Sequence, residues 1–188
     1  MKLNRDQAWD LLTSKMQSQN LRRHCLSVEV VMRVLARHFK ADEEKWGIVG
    51  LLHDGDYEFT KEDPANHAKL MADWVRQLGE TDTELLEGIE SHGWFHQGKQ
   101  AQTQMQWALF CCDELTGLIV ACALVLPSKH LSDLSVSSVL KKFPQKSFAA
   151  GVKREDIQQC EEYLGIKLED FISLALSAMQ SIAPEIGL

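Results

Sequence analysis

Between Trp107 and Leu126 the chain is apolar except for Asp113 and Glu114 near the middle of the stretch, and few folds accommodate that. The stretch is long enough to cross a bilayer, but charges at the centre of a spanning helix are costly. It reads instead as the buried central helix of a globular fold. The composition fits: 188 residues, 45% hydrophobic and 25% charged, can close a core without wholesale disorder. At roughly 100–200 residues per domain, a single domain spanning 1–188 is expected. Lys and Arg number 20 against 27 Asp and Glu, for a net charge of −7. That balance argues against a nucleic-acid or anionic-membrane surface.

Alternating strand patterns are nearly absent, and helical spacing recurs throughout, so the expected fold is all-α. In the helix expected over 21–39, the apolar residues Leu21, Cys25, Val28, Met32, Leu35 and Phe39 are spaced four, three, four, three, four. Other helices are expected at 4–17, with Asn4 as N-cap, and at 42–53, stopped by the Gly55 turn. Asp63-Pro64 is a cap followed by a first-turn proline, opening a helix to Leu78. Thr81 and Glu84 form a capping box for the next, which ends at His92 before Gly93. The apolar helix covers 101–126 up to Pro127, and shorter ones follow at 135–142, 153–164 and 168–180. No linker divides the chain; 127–188 reads as a helical extension of a core motif region at 20–120.

The N-terminus lacks a signal-type apolar run. The five cysteines are odd in number, Cys111 and Cys112 are adjacent, and no CxxC pair occurs. Reduced thiols in a cytoplasm are the expectation.

The chemical signal lies in His and Asp at helix ends and inward faces. His53-Asp54 ends an apolar helix at a glycine turn, where both side chains can converge on one ion. His24 sits about 50° from the centre of the 21–39 stripe, by the helical period. Taken alone, that position favours a core histidine bonded to a carbonyl. Asp113 lies in the most apolar helix, and an unpaired buried carboxylate is very costly. No basic residue lies within one turn of it, so it needs a metal or a tertiary partner. His38, His96 and His130 have weaker positions. No P-loop, Rossmann fingerprint, GxSxG or HExxH is present.

The order His24, His53-Asp54, Asp113 resembles the H…HD…D pattern of the HD superfamily of metal-dependent phosphohydrolases. There the four side chains, on different helices of an all-α bundle, bind a divalent metal. His67 and His92 stand where binuclear members carry second-site histidines, with the HD aspartate bridging. Alternatively, His67 is a solvated helix residue and His92 a C-terminal cap. The mixed nitrogen and oxygen set suits one or two ions of Mn, Fe, Ni, Co or Zn better than Ca. DELTGLIVACALVLPS and LKKFPQKSFAAGVKREDI further resemble a bacterial subgroup of predicted HD-superfamily hydrolases.

The resemblance implies hydrolysis of a nucleotide or other small phosphoester by a metal-activated water. Asp54 would take part, and Asp56 or Glu58, in the GDYEF that contains Asp56 to Phe59, would orient the water or act as acid/base. Polar turn residues are the alternative for that pair. Residues 134–154 carry Lys141, Lys142, Lys146, Lys153 and Arg154 with no acidic residue before Glu155. Lys141, Lys142, Lys146 and Arg154 are candidates for a phosphate clamp, with a solvated face as the alternative. Two rival functions share the ligand set: a di-iron oxygenase of the inositol oxygenase type, and a non-catalytic metal-bound regulatory domain.

Overall fold

The computed structural model describes residues 1–188. It is all-α, with eleven α-helices, three 3-10 turns and no strand. The apolar stretch forms the central helix α7 (Gln104–Leu124). Its N-terminus is a capping box: the Thr103 hydroxyl accepts from the Gln106 N–H, and the Gln106 side chain accepts from the Thr103 N–H. α7 is the one helix long and apolar enough to cross a membrane by length and composition. Burial accounts for that composition, since Ala108, Leu109, Cys112, Leu115 and Ile119 are all sealed in the core.

The second long helix, α2 (Gln19–Phe39), starts where the Ser18 hydroxyl accepts from the Leu21 N–H. Its expected stripe is the buried face: Cys25, Val28, Met32 and Leu35 are inaccessible, and Leu21 and Phe39 pack against the core at either end. Fully burying such a side chain contributes about 1.5–3 kcal/mol. α2 lies against α3 (Glu43–Leu52), α7, α10 (Leu168–Gln180) and α11 (Ala183–Ile186), while α1 (Arg5–Lys15) covers α3. Gly50 sets how closely α2 and α3 approach. A Cβ there would lie 2.9 Å from Met32 Cγ and 3.0 Å from the Val28 carbonyl oxygen. That close contact brings His24, on α2, towards His53, at the end of α3.

The segment between α3 and α7 departs from expectation. Asp63-Pro64 opens only a 3-10 turn, Pro64–Asn66, and Asp63 makes no capping bond. His67 is extended rather than helical, Ala68 turns at φ 65°, and α5 (Lys69–Gln77) begins only after it. The reason is a competing cap: the N–H groups of Ala68 and Met71 donate to the carboxylate of Asp56, at 3.1 and 2.9 Å. Asp56 immediately precedes the short helix α4 (Tyr57–Thr60). The Thr81–Glu84 capping box also does not form. α6 (Thr83–Ser91) is capped by Asp82, which accepts from the Leu85 N–H, while Glu80 accepts from the N–H groups of Lys2, Leu3, Thr81 and Asp82.

After α7 come α8 (Val136–Lys142) and α9 (Arg154–Tyr163), then α10 and α11. α9 and α10 pack on α7, and α10 also on α2. All five cysteines are free thiols in the core.

Candidate metal centre

Six side chains from five places in the chain meet on one side of the α2–α3–α7 junction. His24 comes from α2, His53 and Asp54 from the end of α3, and Asp113 from α7. His67 comes from the extended residue before α5, and His92 from the junction of α6 with the 3-10 turn His92–Gln97. His24 Nε2 is 2.9 Å from Asp113 Oδ1 and 3.2 Å from His53 Nε2. The tertiary partner that Asp113 lacks on its own helix is therefore His24. Asp54 turns a different oxygen to each histidine pair. Its Oδ1 is 3.1 Å from both His67 Nε2 and His92 Nε2; its Oδ2 is 3.7 Å from His24 Nε2 and 3.8 Å from His53 Nε2.

The far side of each ring fixes which nitrogen faces inward. His53 Nδ1 donates to the Gly50 carbonyl at 2.7 Å, one turn back on α3, which turns Nε2 towards the cluster. His67 Nδ1 donates to Asp56 Oδ1 at 2.9 Å, which aims its Nε2 at Asp54. A carbonyl or carboxylate on the outer nitrogen is how metal-binding imidazoles are oriented. Two sets of donor atoms lie within 4.8 Å of one another, His24–His53–Asp113 and His53–Asp54–His92. The donor chemistry thus fits a transition-metal dication, and His53 belongs to both sets. The His53 side chain is fully buried, whereas His24, Asp113 and His92 are 25%, 19% and 18% exposed, so the cluster meets solvent along those three residues.

Burial alone would favour neutral forms of these groups, but the neighbouring charges prevail. Burial raises the Asp54 carboxyl, yet the charge of His53 and hydrogen bonds from His67 and His92 hold it well below the usual range. Asp113 is likewise pushed up by burial and drawn far down by hydrogen bonds from His24 and His53. His24 is depressed by burial but raised to about 9 by the hydrogen bond and charge of Asp113, then by Asp54. His67, also opposed by burial, is raised to about 9 by hydrogen bonds to Asp54 and Asp56. Protons therefore fill the ion's electrostatic place in the metal-free protein.

The structure brings together His24, His53, Asp54, His67, His92 and Asp113, and places the remaining expected residues differently. Glu58 is turned away from the cluster: its carboxylate accepts from the N–H groups of Gln17 and Ser18 at 2.7 and 2.9 Å, bracing the α1–α2 connection. Asp56 is fully buried and accepts from His67, Ala68, Met71 and the Thr60 hydroxyl. It holds His67 in place and has no open face towards a substrate. Arg154 is spent internally, donating to the carbonyls of Phe143, Phe148, Ala149 and Val152. Lys141 and Lys146 are exposed and form no ion pair, and Lys142 lies over the Phe148 ring at 4.8 Å. The basic residue that reaches the site's surroundings is Lys153. Its Nζ sits 4.2 Å from the ring of Phe95, in the turn after His92, and its N–H donates to Glu114.

Two contributors escaped sequence reasoning. Thr116, one turn after Asp113, donates to the Asp113 carbonyl and has its hydroxyl 3.5 Å from His24 Nδ1. Its i+3 spacing was a readable signal. Gly93 reads as a helix stop, but its main role is steric: a Cβ there would overlap the His67 carbonyl oxygen. That contact joins the two loops carrying His67 and His92.

An all-α bundle presenting imidazoles and carboxylates from separate helices to one point defines a metal-binding helical domain. The HD domain family's sequence profile matches residues 21–124, from the start of α2 to the end of α7. With more than half of its length matched, the chain belongs to the HD domain family, a superfamily of metal-dependent hydrolase type. No curated protein and no solved structure matches it.

Proposed function

We propose that the protein is a metal-dependent phosphohydrolase acting on a nucleotide or another small phosphoester. The observation that carries this is the Asp54 carboxylate, whose two oxygens face different pairs of imidazoles. His24, His53, Asp54 and Asp113 would hold one ion, and His67 and His92 a second that shares Asp54. When bound, a divalent ion such as Mn, Fe, Ni, Co or Zn supplies Lewis acidity to a phosphoryl oxygen and lowers the pKa of water.

The chain's own residues do the rest. Asp54 and Asp113 stay ionised because imidazoles face them, and Gly50 and Asp56 keep Nε2 of His53 and His67 inward. Two dications against two carboxylates leave the cluster positive by two charges, the complement of a phosphomonoester dianion. Lys153, whose Nζ lies over Phe95 in the turn that follows His92, would neutralise charge on a bound phosphate. The proposal invokes a small phosphorylated substrate in a reducing cytoplasm, and neither nucleic acid nor membrane.

Elemental analysis of the purified protein, followed by a phosphatase and phosphodiesterase screen with Mn²⁺, Co²⁺, Ni²⁺ and Mg²⁺, tests it. Asp54→Ala should abolish both metal retention and turnover, and full activity in that variant would overturn the proposal. The same four-imidazole, two-carboxylate set serves a di-iron oxygenase. Phosphate release under anaerobic conditions rules for the hydrolase, whereas bound iron with an absolute O₂ requirement rules against it. Binding of phosphoesters without turnover would instead mark a regulatory domain.

A further inference from the structure

A groove of about 380 Å³ runs between α2 and α7 and starts at His24. Along α7 it is lined by Gly117, Val120 and Leu124, which follow Asp113 on one continuous helical face. Arg23 lines it from α2 and Ile186 from α11. The groove therefore borders the metal cluster through His24, whose side chain is 25% exposed. Its volume lies in the roughly 300–1,000 Å³ range of small-molecule sites.

Two features of this groove stand out, and although the Arg23 guanidinium lies against Gly187 at the end of α11, neither is explained by a hydrogen bond, an ion pair or a steric need. A glycine inside a helix costs up to about 1 kcal/mol relative to alanine, so it needs a reason. At Gly47, Gly50 and Gly88 the reason is steric, because a Cβ would lie 2.6, 2.9 and 2.7 Å from neighbouring atoms. At Gly117 the nearest atom is Val152 Cγ2 at 3.7 Å, an ordinary contact. What Gly117 does is leave the α7 backbone bare where the groove passes, one turn from Asp113. The second feature is Arg23. Arg22 donates to the carbonyls of Met16 and Thr13, and Arg5 and Arg33 grip Glu29. Arg23 is exposed and has neither a hydrogen bond nor an ion pair, although it borders the groove.

We propose that the groove receives the organic leaving group of the substrate. That group has an apolar body lying on Gly117, Val120 and Leu124 and carries an anionic acceptor, a carboxylate or second phosphate, for Arg23. This rests on the phosphoester assignment of the metal centre and adds the chemical class of the ester. Arg23 is then a specificity-determining residue, and Gly117 the opening that admits the group.

The test measures binding to the Mn²⁺-loaded protein by calorimetry, using inorganic phosphate, hexylphosphonate and 6-phosphonohexanoate, none of which has an ester bond to break. Hexylphosphonate should bind about tenfold or more tighter than inorganic phosphate, from its buried methylenes. The carboxylated probe should bind tighter still. Gly117→Leu should weaken both organic probes about tenfold and leave inorganic phosphate unchanged. Arg23→Gln, at an exposed position that does not threaten folding, should remove only the advantage of the carboxylated probe. Equal affinities for all three probes in the wild type, or Arg23→Gln preserving the carboxylate advantage, would overturn the groove assignment while leaving the metal-centre proposal standing. Failure of the wild type to bind inorganic phosphate would instead sink the phosphoester assignment itself.

Discussion

Replacing Asp56 by Asn changes one oxygen to an amide in a side chain that serves both the fold and the centre. Its Oδ1 accepts from His67 Nδ1 at 2.9 Å and Ala68 N–H at 3.1 Å, and its Oδ2 from Met71 N–H at 2.9 Å. Whichever way the amide turns, an NH₂ group is set against a donor. With the NH₂ towards Met71, α5 loses a capping bond, worth about 1–2 kcal/mol. With it towards His67, the imidazole loses its orienting acceptor, and a buried donor left unmet costs about 1–3 kcal/mol. The two costs are alternatives, so the predicted loss is about 1–3 kcal/mol, which a domain of ordinary stability survives folded. With the NH₂ towards His67, affinity for an ion bound through that imidazole should fall about 10–100-fold, the usual consequence of removing such a partner. Urea unfolding in EDTA reads the first quantity, and competition with a metallochromic chelator reads the second. Asp56→Ala removes both acceptors at once; if that variant is destabilised yet binds metal with wild-type affinity, Asp56 only caps α5 and its role in orienting His67 is refuted.

Further outcomes follow from the same geometry. In the metal-free protein, His24 and His67 titrate near 9, above the ordinary histidine value of about 6.5. Their ion pairs therefore stabilise the apoprotein fully below about pH 6.5, and that contribution is lost as pH rises through about 9. Metal needs the neutral rings, so apparent affinity should climb with pH up to about 9, and uptake at pH 7 should release up to about two protons. Titration with Zn²⁺ in buffers of different ionisation enthalpy measures this, and zero release would refute the charge assignment. Arg154→Met should cost about 2 kcal/mol in chemical unfolding, because carbonyls lose their donors, and leave KM for a phosphoester unchanged. Gly93→Ala should drive the His67 and His92 loops apart and abolish metal retention in elemental analysis while far-UV circular dichroism stays helical.

Helix positions were legible wherever a periodic apolar face was long enough to dominate, as at Cys25, Val28, Met32 and Leu35. His24 and Asp113 were legible for a related reason, whereas His53-Asp54, His67 and His92 gained their weight from the resemblance to the HD pattern. A histidine at the edge of a buried stripe and an aspartate inside the most apolar helix are expensive unless something meets them. The misplaced start of α5 shows the limit. Asp63-Pro64 carries all the local marks of a helix start, yet Asp56 caps α5 from 12 residues away in sequence. Local propensity cannot rank a neighbouring cap against one delivered by the fold. Arg154 fails similarly: a basic residue in an acid-free stretch looks free, and only the folded loop shows its donors consumed by four carbonyls.

The two sides of the cluster hang from supports of unequal firmness. His24 and Asp113 are carried within the two 21-residue helices, locked together by the core, so moving them requires breaking that core. His67 sits on an extended connector and His92 on the junction between a helix and a 3-10 turn, held by the Asp56 hydrogen bonds and the Gly93 contact. Such segments open at a smaller free energy than packed helices. The cluster thus has a fixed jaw and a hinged one, and the His67–His92 side can open without the bundle unfolding.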